Sequence, residues 1–150
     1  MRVLITTSLC EQIISSLKTA LPDEGCGVLI GRQVDDETVE VTTSEALPNA
    51  ETLRGEDHFV IEPHAYAELE RRLADNGNGE RAVGFFHSHP NGIARPSRVD
   101  LEAASGLFEV TRTFYLYAIA AINADGRSEM TFWTLNPAAD EFVAADVIRR

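Results

Sequence analysis

The stretch "HSHPNGIARPSRVD", residues 87–100, decides how this chain is read. His87 and His89 lie two residues apart, and the apolar run "AVGFF" (82–86) leads directly into them. Such a run reads as a buried strand. On a strand, side chains two apart leave the same face, so both imidazoles can reach one ion from a rigid platform. Ser97 and Asp100 have the spacing of a helix start, with serine as N-cap and an acidic residue favoured in the first turn. Seven residues, pinned by Pro90 and Pro96, separate His89 from Ser97, enough chain to fold back. Two readings stand. One is a strand end followed by a capped helix. The other is a metal site shared by His87, His89 and Asp100. They are compatible, because Ser97 can cap while Asp100 points from the helix end toward the histidines. A bare H-x-H occurs often by chance, so the rest of the chain has to be weighed.

Two histidines and one aspartate make a catalytic zinc count. Structural sites close all four positions, usually with cysteine, whereas catalytic sites keep one for water. Such a site needs a base to take the water proton. Glu24 opens the glycine-flanked stretch "EGCGVLIG" (24–31) and is the candidate; a solvated turn residue after Pro22 is the plain alternative.

The chain has 150 residues, 44% of them hydrophobic and 25% charged, which fits a single globular domain over 1–150. Its net charge is −11, with twelve arginines and one lysine, Lys18. That excludes the basic stripe a nucleic-acid binder needs and disfavours an anionic membrane surface. An acidic, lysine-poor surface suits a salty cytoplasm. The two cysteines, Cys10 and Cys26, are too few for a disulfide scaffold and read as reduced, packed thiols in a cytoplasmic protein. The longest apolar run, "FYLYAIAAI" (114–122), is too short to span a bilayer, and no signal peptide is visible in "MRVLITTSLCEQ".

Along the chain, "RVLIT" (2–6) reads as a strand, followed by a helix opened by a Ser8–Glu11 capping box and stopped by Pro22. "GCGVLIGR" (25–32) and "ETVEVTTSEAL" (37–47) read as strands, "PNAETLRGED" (48–57) as a long functional loop, and "HFVIE" (58–62) as a short strand. Pro63 starts a second helix that "NGNG" (76–79) breaks. The segment from Ser97 is a third helix; "TFYLYAIAAI" (113–122) and "EMTFWTL" (129–135) are strands, and "EFVAADVI" (141–148) is one last strand. Alternating helices and strands, with hairpins among them, predict an α/β fold: a mixed β-sheet flanked by helices. No nucleophile elbow, dinucleotide-binding glycine motif or P-loop is present.

The stretch 87–100 fits H-x-H-P-x6-S-x-x-D. With the upstream Glu24 in "DEGCGVLIG", it resembles the signature of the JAMM (MPN-plus) zinc metallopeptidases. The "LPN…HFVIEP" segment and the "VGFFHSHP" strand resemble the small stand-alone prokaryotic members, and the likeness covers nearly the whole chain. It implies a cytidine-deaminase-like architecture and a Zn²⁺ cofactor held by His87, His89 and Asp100. It further implies Glu24 as general base for the zinc water and Ser97 as donor to the developing oxyanion. The implied reaction is hydrolysis of an amide after the C-terminal Gly-Gly tail of a ubiquitin-like or sulfur-carrier protein, with the 48–57 loop as part of the carrier surface. Two alternatives remain at this stage. One is a non-catalytic MPN-type scaffold, which typically loses zinc ligands that this chain keeps. The other is a related H-x-H domain linked to bacterial DNA repair, which the acidity and the Glu24 strand disfavour.

Overall fold

The apolar run ahead of the histidines lies in the middle of an eight-stranded mixed sheet. The computed structural model describes residues 1–51, 53–56 and 58–150. In chain order the elements are β1 (Arg2–Ile5), α1 (Thr7–Lys18), β2 (Cys26–Gln33), β3 (Thr38–Leu47), α2 (Pro63–Asn76), β4 (Arg81–Pro90), α3 (Arg98–Thr111), β5 (Leu116–Ile122), β6 (Ser128–Leu135), β7 (Phe142–Ala144) and β8 (Asp146–Arg149). The strand order is β7-β6-β5-β4-β2-β3-β1-β8. β4 runs antiparallel to β2 and parallel to β5, so its interior residues are hydrogen-bonded on both sides.

Both faces of the sheet are covered, which is why β2, β4 and β5 carry continuous apolar runs (28–30, 82–86 and 116–122) rather than alternating. On one face, Leu9, Ile13 and Leu17 of α1 pack with Val3, Leu29, Phe86 and Ala118. On the other, Leu69 and Leu73 of α2 pack with Val28, Ile30 and Ala82. Ile13 and Leu17 follow the helical spacing that brings one face of α1 onto the sheet. Truncating either to alanine would cost about 2–5 kcal/mol, the usual range for a buried aliphatic side chain.

The α/β reading holds, and three local expectations are corrected. First, α1 is capped by Thr6, not Ser8: Thr6 is still extended (φ −81°, ψ 148°) and its Oγ1 accepts from the Leu9 N–H at 3.0 Å. Ser8 already lies inside the helix, so its hydroxyl is not at the cap. Second, 58–62 is not a strand; a single bridge, Asn49 to Ile61, is all that forms there. Third, 141–148 is not one strand. β7 pairs with β6 at one end of the sheet and β8 pairs with β1 at the other, with only Ala145 between them. The Ala145 N–H donates to the Phe132 carbonyl (2.9 Å) and the Asp146 N–H to the Met1 carbonyl (3.0 Å). The sheet therefore curls until its two ends are joined by one continuous segment. Thr52 and Asp57, within the predicted 48–57 loop, lie outside the described residues.

Candidate metal centre

β4 carries His87 and His89 on one face, as period two requires, with Ser88 turned to the opposite face. After Pro90 the chain turns back through Asn91, which holds a left-handed conformation (φ 55°). The Asn91 N–H donates to the Ile122 carbonyl (2.8 Å), and its Oδ1 accepts from the Ala124 N–H (2.8 Å). The Ala94 carbonyl accepts from Thr131 Oγ1 at 2.5 Å. These bonds fasten the 90–96 loop to the ends of β5 and β6 and fix where α3 begins.

Ser97 is the N-cap of α3: its Oγ accepts from the Asp100 N–H (3.1 Å), and Asp100 Oδ2 accepts from the Ser97 N–H (2.8 Å). The same carboxylate faces both histidines. Asp100 Oδ1 is 3.2 Å from His87 Nε2, and Oδ2 is 3.2 Å from His89 Nε2. The two Nε2 atoms are 3.1 Å apart. One side chain therefore both caps α3 and faces the two histidines.

These separations test the site against zinc. Ligands at 2.0–2.2 Å from a tetrahedral ion lie about 3.3–3.6 Å from one another; the two Nε2 atoms, 3.1 Å apart and each 3.2 Å from a different oxygen of Asp100, come close to that spacing. The donor set, two imidazoles and a carboxylate, is also that of an open zinc site. His89 Nδ1 lies 2.9 Å from the Ile93 carbonyl, which places its ring proton there and leaves the Nε2 lone pair directed at the cluster. Glu24 stands immediately before β2, buried, with a carboxylate oxygen within 4.8 Å of a ring nitrogen of each histidine. All five residues singled out from the sequence thus lie on three adjoining segments: the β2 start, the β4 end and the α3 start.

Charge follows the packing. Burial opposes ionisation of Asp100, but hydrogen bonds from both histidines outweigh it and hold the carboxyl well below the usual range. Burial pushes His87 down, toward the neutral form. For His89, burial is outweighed by Asp100 and the Ile93 carbonyl, and the net shift is upward. An ionised carboxylate and neutral imidazoles are the forms that bind a metal.

Two contacts were not legible in the sequence. The Phe59 ring stacks on His87 (centroids 4.6 Å apart, 25° between planes). Ser88 Oγ accepts from the Gly25 N–H at 2.8 Å, and the Ser88 N–H donates to the Gly25 carbonyl at 3.1 Å, locking the end of β4 to the residue after Glu24. Gly25 has no side chain for a reason: a Cβ there would sit 2.8 Å from Leu17 Cδ2 and 3.0 Å from Ala20 Cβ. Cys26 turns its thiol toward the carbonyls of Leu47 (3.5 Å) and Pro48 (3.9 Å). Burial first, then the Glu24 charge, pushes that thiol up to about 11, which suits a packing residue.

Residues 6–136 match the family model described as prokaryotic homologs of the JAB domain. The chain belongs to this family. Among relatives, this JAB-domain chain is 33% identical over 121 residues to a desampylase of Haloferax volcanii, covering 81% of this chain and 74% of that protein. It is 28% identical over 99 residues to a ubiquitin carboxyl-terminal hydrolase of Saccharomyces cerevisiae, covering 66% of this chain and 32% of that one. It is 30% identical over 100 residues to the 26S proteasome non-ATPase regulatory subunit 14 of Drosophila melanogaster, covering 67% of this chain, and thus spans about a third of the length of these last two relatives. A solution structure of a Desulfitobacterium hafniense protein shares the fold with a TM-score of 0.79 at 24% identity, over 99% of this chain and 92% of that one. No described helix of the JAB-domain chain is long and apolar enough to cross a membrane.

Proposed function

We propose that residues 1–150 form one zinc-dependent peptidase domain that hydrolyses the amide after the Gly-Gly tail of a ubiquitin-like or sulfur-carrier protein. The observation that carries this reading is the cluster in which His87 Nε2 and His89 Nε2, 3.1 Å apart, each lie 3.2 Å from an oxygen of the Asp100 carboxylate, beside the buried Glu24. The desampylase and ubiquitin-hydrolase relatives support the substrate class. The free, separately buried thiols of Cys10 and Cys26 support a cytoplasmic setting.

His87, His89 and Asp100 would hold the zinc. Bound there, zinc supplies Lewis-acid chemistry, lowering the pKa of a water and polarising the amide carbonyl. Glu24 takes the proton of the attacking water and delivers it to the departing amine. The Ser97 oxygen accepts the Asp100 N–H and so keeps its own proton free to donate to the carbonyl oxygen as charge gathers on it. A Gly-Gly tail is thin enough to enter a narrow cleft as an extended strand, its main chain supplying the contacts.

The test is cleavage of a Gly-Gly-tailed carrier bearing either a C-terminal amino-acid adduct or a lysine isopeptide. The expected result is release after the second glycine, abolished by a chelator, restored by Zn²⁺ and slowed by about 10²–10⁴-fold in a zinc-loaded Glu24→Gln variant. A folded, zinc-loaded parent protein that cleaves neither carrier would leave the scaffold reading in its place.

A further inference from the structure

Glu24 precedes β2, so the sheet ladder does not hold its carbonyl. Its N–H donates to the Gly55 carbonyl at 2.6 Å, and its carbonyl accepts from Asn49 Nδ2 at 3.0 Å. Asn49 makes three more bonds. Nδ2 also donates to the His58 carbonyl, and Oδ1 accepts from the N–H groups of Glu51 and Val60, each at 3.0 Å. A primary amide has two N–H donors and a carbonyl with two lone pairs. Asn49 uses all four, on four main-chain groups. Its orientation is fixed as well, because a flipped amide would set oxygen against two carbonyls and NH₂ against two N–H groups.

The two outer partners, His58 and Val60, bracket Phe59, whose ring stacks on His87. One half-buried side chain therefore ties the main chain of Glu24 to the segment that covers a histidine of the cluster. We propose that Asn49 is a positioning residue that holds Glu24 and Phe59 in register with the His87–His89–Asp100 cluster. The proposal rests on the reading of Glu24 as general base.

The experiment is a double-mutant cycle of Asn49→Asp and Glu24→Gln in the zinc-loaded protein, assayed on the Gly-Gly-tailed carrier. Aspartate keeps an oxygen for Glu51 and Val60 but loses both donors. The expected result is a fall in kcat of about 10–100-fold, the usual range for an outer-shell partner of a metal site, with KM and zinc stoichiometry close to the parent. In the Glu24→Gln background the same substitution should bring no further loss. Amide hydrogen exchange gives a readout apart from turnover: protection should fall at Glu24 and persist at Phe86 and His87 in β4. Loss of protection throughout the sheet, an equal further loss of turnover in both backgrounds, or parent-like kcat would each overturn the role. If Asn49→Asp does not fold, Asn49→Ala carries the same test without the added charge; failure of both to fold would assign Asn49 to the fold and overturn the proposal. A Glu24→Gln enzyme that turns over at the parent rate would instead remove the base, and this inference with it. A Glu24→Gln slowed as expected beside a fully active Asn49→Asp would remove the inference alone.

Discussion

Asp100 serves Ser97 and His89 with the same oxygen: Oδ2 accepts the Ser97 N–H at 2.8 Å and lies 3.2 Å from His89 Nε2. The start of α3 and the metal cluster are thus one construction. Asp100→Asn keeps an oxygen for the Ser97 N–H but removes the charge that faces two ring nitrogens. Zinc binding and turnover should both be lost, while the metal-free protein loses at most about 0.5–2 kcal/mol, the range for a weakened cap. Metal analysis and denaturant unfolding of the metal-free protein read the two effects separately. Retained zinc would reduce Asp100 to a capping residue.

Zinc binding should release a proton near pH 6.5. Asp100 is ionised well below that pH and gives none; His87, shifted down by burial, leans to the neutral form. His89 is shifted up, so in the metal-free protein it keeps its proton at the ordinary histidine value of about 6.5. Its protonated form stabilises the metal-free fold below that pH, and this contribution is lost as pH rises through the raised value. Zinc needs the Nε2 lone pair and must displace that proton. Titration calorimetry in buffers of different ionisation heat should show at least about half a proton released; no release would contradict the assignment.

Phe59 covers His87 by stacking, an interaction worth about 0.5–1.5 kcal/mol beyond area burial for aromatic pairs. Phe59→Ala should weaken zinc retention against a competing chelator by up to about tenfold. Phe59→Leu should fall between the two. Unchanged competition in both would show that the ring does not steady His87.

A net charge of −11 on 150 residues makes self-repulsion a destabilising force that salt screens. The screening length falls from about 10 Å at 0.1 M to about 3 Å at 1 M. The melting temperature of the metal-free protein should therefore rise between these concentrations of potassium chloride. A flat or falling curve would remove the salt-adapted reading of the surface.

The parts legible in the sequence are those set by short-range rules. Period two placed His87 and His89 on one face, Ser97 and Asp100 marked the start of α3, and Pro63 marked α2. Where the reading failed, a longer-range partner decided. Residues 58–62 have strand-like composition, but a side chain, Asn49, takes the His58 carbonyl and the Val60 N–H. Residues 142–149 divide at Ala145 because the sheet curls, and curling leaves no local period. Ser8 and Glu11 carry the capping pattern, yet Thr6, at the end of β1, is where the chain turns helical. The Phe59–His87 stack joins segments that no spacing rule connects.

The central claim is that one Zn²⁺ sits among His87, His89 and Asp100. Zinc-edge anomalous diffraction from crystals of the zinc-loaded protein tests it most directly. The account predicts one strong peak about 2.0–2.2 Å from both Nε2 atoms and an Asp100 oxygen. A peak elsewhere, or none in zinc-loaded crystals, would contradict it.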